Sequence, residues 1–178
     1  MMRDLSYLGL PAAITDAVEM HPVEDIALSI LRDRFPGAQV NSMIEFDQSL
    51  FKDGFFVLVR RLPSYGPWTG DQRWLDNAGL GVHVFAKDEL QPDGTLASGD
   101  ERGAIISDAI RVALRDAANE RRYFPGRGGL VKLRMDEEPT RKTDWATSTG
   151  PVQYADLPAG VQRYESRYSL WIRRPIWG

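Results

Sequence analysis

Cysteine is absent from the 178 residues, so neither a disulfide framework nor thiolate chemistry is available. Histidine is almost as scarce: the 2 present, His21 and His83, stand far apart and cannot build a histidine-based zinc site by themselves. No apolar run approaches the ~20 residues a membrane helix needs, so no membrane partner is expected. Residues 1–14 have apolar character but no basic cluster, and Pro11 interrupts them. A signal peptide is therefore not expected, and the chain is expected in the cytoplasm. The formal net charge of -3 argues against a protein that coats nucleic acid electrostatically, although a local basic face stays possible. Internal repeats and low-complexity segments are also lacking.

What is present is the composition of a globular domain, 43% hydrophobic and 26% charged, in a chain long enough for one sizeable core. The most informative stretch is 161–174, VQRYESRYSLWIRR. Tyr164, Ser166, Tyr168, Leu170 and Ile172 fall on one face. Arg163, Glu165, Arg167, Ser169 and Arg173 fall on the other, with Trp171 as its single large apolar member. Period two over this length predicts a half-buried strand about 35 to 40 Å long at about 3.3 Å per residue, ended by Pro175. The first set is expected to face the helices. The arginine face is expected to be exposed, so that a charge reversal at Arg167 would leave folding intact.

Taken in order, residues 1–21 read as an N-terminal extension with a helical turn or two after Pro11. Over 22–35, Val23, Ile26, Ala27, Ile30, Leu31 and Phe35 recur at three and four, with acids first and arginines last, which predicts a helix. Strands are predicted over 39–46, 55–62 and 80–86, with a long loop over 63–79 between the last two. A second helix is predicted over 98–122 from the stripe Ile106, Ala109, Ile110, Ala113, Leu114 and Ala117, with the 125–129 PGRGG as its closing turn. A strand over 130–138 and a second long loop over 139–160 precede the final strand. The order is helix, three strands, helix, two strands. It predicts an α+β fold of two layers: a mainly antiparallel sheet with two helices on one face, in a single domain over 22–178.

Candidate chemistry is thin. The glycines around Arg127 would suit a phosphate cradle, but their spacing matches neither a P-loop nor a dinucleotide fingerprint, and they leave a helix instead of entering one. Asp136, Glu137 and Glu138, with Asp100 or Glu101, would suit a divalent cation in a nuclease, against the plainer reading of a charged strand edge. His83 reads as an interior histidine. The loop aromatics Tyr65, Trp68, Trp74, Trp145 and Tyr154, with Trp177, are candidates for subunit or partner contacts, because interfaces are enriched in Trp, Tyr and Arg. Arg163, Arg167, Trp171 and Arg173 join them from the last strand, where acidic groups of another subunit and solvation both rank ahead of DNA phosphate. No catalytic, metal-binding or cofactor-binding residue is assigned.

The segments FPGAQV after the first helix, FFVLVRRL, LGVHVFA, ISDAIRVAL and RYESRYSLWIRR together give a pattern that resembles the tail terminator proteins of long-tailed bacteriophages, especially those of actinobacterial hosts. The likeness spans roughly 22–175. It implies a structural protein, not an enzyme, with no cofactor. Six copies would form a ring in the virion neck, assembled in the host cytoplasm, that caps the tail tube and joins it to the head-side connector or stopper protein. The partners implied are further copies of the chain, the major tail protein and that connector, with DNA passing through the ring without sequence-specific binding. The extension over 1–21 and the long loops over 63–79 and 139–160 depart from the family pattern. Other neck proteins, an oligomeric binding module outside the virion and the metal-dependent nuclease are the alternatives.

Overall fold

The computed structural model describes residues 11, 22–43, 54–63, 75–142 and 160–173. The expected turns within 1–21, the end of the 39–46 strand and most of the two long loops lie outside them. Two helices, α1 (Val23–Arg34) and α2 (Gly99–Asn119), accompany the strands β1 (Val40–Asn41), β2 (Phe55–Leu62), β3 (Leu75–Lys87), β4 (Glu89–Leu90), β5 (Leu96–Ala97), β6 (Tyr123–Phe124), β7 (Gly128–Lys142) and β8 (Val161–Arg173). Six of these form one sheet in the order β1-β2-β3-β8-β7-β6, and β4 and β5 make a separate hairpin. All pairs in the large sheet are antiparallel except β1 with β2. The fold is thus α+β, with both helices on one face of a mainly antiparallel sheet.

The strand latest in the chain order lies in the middle of the sheet. β8 pairs with β3 without a break from Leu75↔Arg173 to Lys87↔Val161, and on its other side with β7. Val57 and Val59 of β2, Leu80, Val82 and Val84 of β3, and Tyr168, Leu170 and Ile172 of β8 point toward the helices and share one core with them. The face expected to meet the helices does so. From α1 the core receives Val23, Ile26, Ala27, Leu28, Ile30 and Leu31. Polar ties hold this helix in place: Arg32 donates to the Val40 carbonyl at 3.1 and 2.7 Å, and Glu24 accepts from the Arg61 backbone N–H at 2.8 Å.

α2 starts under double control. Ser98 accepts from the Asp100 N–H at 3.3 Å, and Asp88 accepts from the Gly99 N–H at 2.7 Å, satisfying donors that the first helical turn leaves unpaired. Its buried stripe is made of small residues, among them Gly103, Ser107, Ala113 and Ala117, so the helix axis sits close to the sheet. At Gly103 the approach is so tight that a Cβ would stand 2.7 Å from the Tyr164 ring.

Several expectations need correcting. Residues 75–79 belong to β3, not to the loop: Asp76, Asn77 and Gly79 are poor strand formers, but their pairing with β8 extends the ladder past them. Residues 139–142 likewise belong to β7. Pro139 is accommodated because the register between Glu137 and Thr140 is irregular, a place where the missing N–H does little harm. The glycine cluster does not close α2. The helix ends at Asn119, Arg121 takes the left-handed φ of 51°, and Pro125, Gly126 and Arg127 form the turn of the hairpin joining β6 to β7, with Gly126 at φ 75°. The β4–β5 hairpin was not expected either. Its signal was present in Pro92-Asp93-Gly94, a turn sequence between short runs that each contain a leucine.

Beyond Gly129 the outer edge of β7 has no partner strand among the described residues. Its exposure alternates along most of its length, and its pairing with β8 is broken by three register shifts.

Leu170 is fully buried at the centre of the core. Leu170→Ala is expected to lower folding stability by about 2 to 5 kcal/mol through the lost transfer energy and the cavity left behind, measured by urea unfolding.

Candidate interaction surfaces

The four β8 candidates, Arg163, Arg167, Trp171 and Arg173, all occupy the sheet face turned away from the helices, because they alternate with Tyr164, Tyr168, Leu170 and Ile172. The other six, Tyr65, Trp68, Trp74, Trp145, Tyr154 and Trp177, lie outside the described residues. The four separate into two environments. Arg163 is 1% exposed, and Glu165 and His83 beside it are buried, so this end of the supposedly solvated face is interior. Phe56 and Leu58 of β2 and Phe85 of β3 are buried on the same face.

What makes a buried arginine tolerable here is a chain of ion pairs across three strands. Arg163 donates to Glu165 Oε2 at 2.9 Å. Arg167, with about a quarter of its side chain exposed, donates to Glu165 Oε1 at 3.1 and 3.0 Å and also lies 3.1 Å from Glu137 Oε2. Lys142 reaches Glu137 Oε1 at 2.7 Å. His83 Nδ1 stands 3.8 Å from Glu165 Oε2. Cross-strand register explains the assembly, since His83 is opposite Glu165, and Glu137 is opposite Arg167. A buried carboxylate or guanidinium without its partner would cost several kcal/mol, so each member depends on the others.

Burial pushes the His83 imidazole down to about 4, with Arg163, Arg60 and Arg167 adding to the effect and Glu165 opposing it. Burial acts on Glu165 in the upward direction, but His83 when it carries a proton, together with the Arg167 and Arg163 guanidiniums, outweighs it and holds the carboxyl below its ordinary range.

The other end of this face is more open. Trp171 is half-buried, with the Lys132 ammonium 4.9 Å and the Arg134 guanidinium 5.9 Å from its ring centroid. Arg173 is exposed and lies 5.3 Å above the Tyr123 ring. Trp171 and Arg173 are therefore available to a partner as placed, and Arg163 is not.

The carboxylate run splits. Asp136 accepts from Arg134 and from Ser169, each at 2.6 Å, and Glu137 takes Lys142 and Arg167, all on the face away from the helices. Glu138 instead borders a groove beneath α2. Asp100 is engaged by the Tyr164 hydroxyl at 2.8 Å and by Arg141 at 3.3 Å. Among the described residues no group of three or more His, Asp or Glu side chains is placed to share a metal ion.

One surface feature escaped the reading of the sequence. Leu90 and Leu96 are cross-strand partners in the β4–β5 hairpin and are 72% and 65% exposed. An ion pair from Arg102 to Glu89 at 2.5 Å ties the hairpin to α2, and its turn is closed by the Asp93 side chain, which accepts from the Thr95 N–H at 2.9 Å.

Neither a scan against protein-family models nor a search of curated proteins finds a match to this chain.

An imidazole held neutral in the folded state but titrating near 6.5 when unfolded leaves the unfolded chain binding the extra proton between pH 6.5 and about 4, so stability falls as pH drops through that window. The contribution is on the order of 2 to 3 kcal/mol, and His83→Gln should remove this part of the pH dependence in urea titrations at pH 7, 5.5 and 4. Arg167→Glu, which an exposed face would leave with little effect on folding, should instead cost about 3 kcal/mol, because it strips Glu165 of a cation and adds a third carboxylate; thermal melting of the variant checks this.

Proposed function

We propose that this chain is a structural subunit of the neck of a long-tailed bacteriophage, a tail terminator. Six copies form a closed ring that caps the tail tube and joins it to the head-side connector, and DNA passes through the ring without sequence-specific contacts. The observation that carries the reading is the ordered set of sequence segments that resemble this family. They fall on α1 and the turn after it, β2, β3, α2 and β8, which are successive parts of one two-layer domain.

The surface supports an assembling protein. The pair of exposed leucines on the hairpin is apolar area that a neighbouring subunit would remove from water, and a ring needs such head-to-tail patches. Trp171 between two cations, with Arg173 nearby, offers a second contact of the aromatic and arginine type common at interfaces. The nuclease reading is weaker, because Asp136 and Glu137 are engaged by cations and Glu138 points elsewhere.

The test is negative-stain imaging and native mass measurement of the purified chain, alone and with tail tube, beside complementation of a phage lacking the gene. Rings of six at tube ends support the reading. A virion reconstruction that places the chain at a position without sixfold symmetry would overturn it. Leu90→Asp combined with Leu96→Asp should change folding stability by no more than about 0.5 kcal/mol per site, as surface substitutions do, yet abolish ring formation in the same images.

A further inference from the structure

A groove between α2 and β7 plays no part in the ring reading. It is open to solvent along one side and has a volume of about 420 Å³, within the range of ~300 to 1,000 Å³ common for ligand sites. Ala104, Asp108 and Arg111 form its helix wall, and Met135, Glu138 and Pro139 its strand wall, with Tyr164 of β8 completing it. The lining is amphipathic. Met135, Pro139, Ala104 and the Tyr164 ring provide apolar surface, and the charges stand among them.

Those charges do not balance. Arg111 donates through Nε and a terminal nitrogen to one Asp108 oxygen, at 2.8 and 2.6 Å, so these two neutralise each other. Arg141 and Asp100 do the same beyond Tyr164. Glu138 is exposed and makes no hydrogen bond or ion pair among the described residues; its nearest charge influence is on Arg111, which Asp108 already holds, so the three groups together carry one negative charge in excess. The register shift between Met135 and Glu137 puts Asp136 and Glu137 together on the far face, with Ser169 and Arg167, and ordinary strand alternation then turns Glu138 to the helix side. The groove therefore holds one carboxylate in excess beside an apolar strip.

We propose that this groove binds a single basic side chain, arginine or lysine, presented by a neighbouring polypeptide chain. Its cationic head meets Glu138, and its methylene stem lies along Met135, Pro139 and the Tyr164 ring. Long basic side chains carry this combination of an apolar stem and a charged tip, and a guanidinium also stacks on an aromatic face. One excess negative charge matches one positive charge, which favours a side chain over a free polyamine. An anion is disfavoured, because Arg111 is already held by Asp108 and Glu138 would repel it.

The assignment concerns the isolated subunit and does not rest on the ring, so either can fail alone. The test uses the full chain, isotope-labelled for NMR and titrated with N-acetyl-arginine amide, N-acetyl-aspartate amide and spermidine in turn. Saturable shifts of the Asp108, Glu138 and Tyr164 amides with the arginine derivative, weakened about tenfold or more in Glu138→Gln, support the proposal. Since Glu138 is exposed and holds no hydrogen bond or ion pair among the described residues, that variant should fold normally, which its melting curve verifies, and Glu138→Asp should retain part of the binding. Absence of a saturable shift, equal binding by Glu138→Gln, or binding of the aspartate derivative at the same amides overturns the proposal. Tighter binding of spermidine than of the arginine derivative overturns the choice of a side chain as occupant.

Discussion

The structure depends on the two-sided pairing of β8. A strand with a partner on each edge cannot turn its polar side chains toward water at will, because the sheet on either side holds every second residue at a fixed place. One set, Tyr168, Leu170 and Ile172, enters the core beneath the helices. The other set must find its partners within its own face, and the register with β3 and β7 supplies them: His83 and Thr140 opposite Glu165, Glu137 opposite Arg167. The ladder thus determines the electrostatics as well as the shape.

The two faces are stable for different reasons. Under the helices, burial of hydrocarbon dominates, and the small residues of α2 let that layer close tightly over Tyr164 and Ala86. On the far face, much of the attraction between opposite charges is offset by the loss of hydration, so the row of ions adds less to stability than its number of contacts suggests. Its effect is on specificity: a slipped register would leave Arg163 or Glu165 buried beside the wrong neighbour. The neutral His83 fits this arrangement, since a third cation beside Arg163 and Arg167 would unbalance it.

The elements with a long, regular period were readable from sequence alone. β2 matches its expected bounds, and β8 and α1 match to within a residue or two at each end, because alternation and the three-four stripe report burial on one side. Burial on both sides is where the reading failed. Arginine and glutamate alternating with hydrophobic residues look the same whether the polar side meets water or a matching row of charge, and nothing in β8 itself distinguishes the two. The strand extensions over 75–79 and 139–142 were hidden for a related reason, since Asn77, Gly79 and Pro139 are poor strand residues held in place by their partner. Of the candidate surface, Trp171 and Arg173 were recognisable as interface-type residues, whereas the exposed leucines needed the hairpin to bring them side by side. Glu138 was legible only as one of three acids, because the register shift that puts Asp136 and Glu137 on one face, and so leaves Glu138 to the other, has no signature in the string.

The outer edge of β7 bears on how copies of the chain can join. A straight, open edge would accept the edge strand of another molecule, and because each addition exposes a fresh edge, such growth has no natural end. Here the edge is kinked by three register shifts, carries Pro139 and alternates charged residues such as Lys132, Arg134, Asp136 and Glu138 along its length. Stacking into filaments by backbone pairing is thereby discouraged. In the proposed ring, contacts between copies would then be made by side chains at particular places, which fix a stoichiometry in a way that a continuous backbone ladder does not.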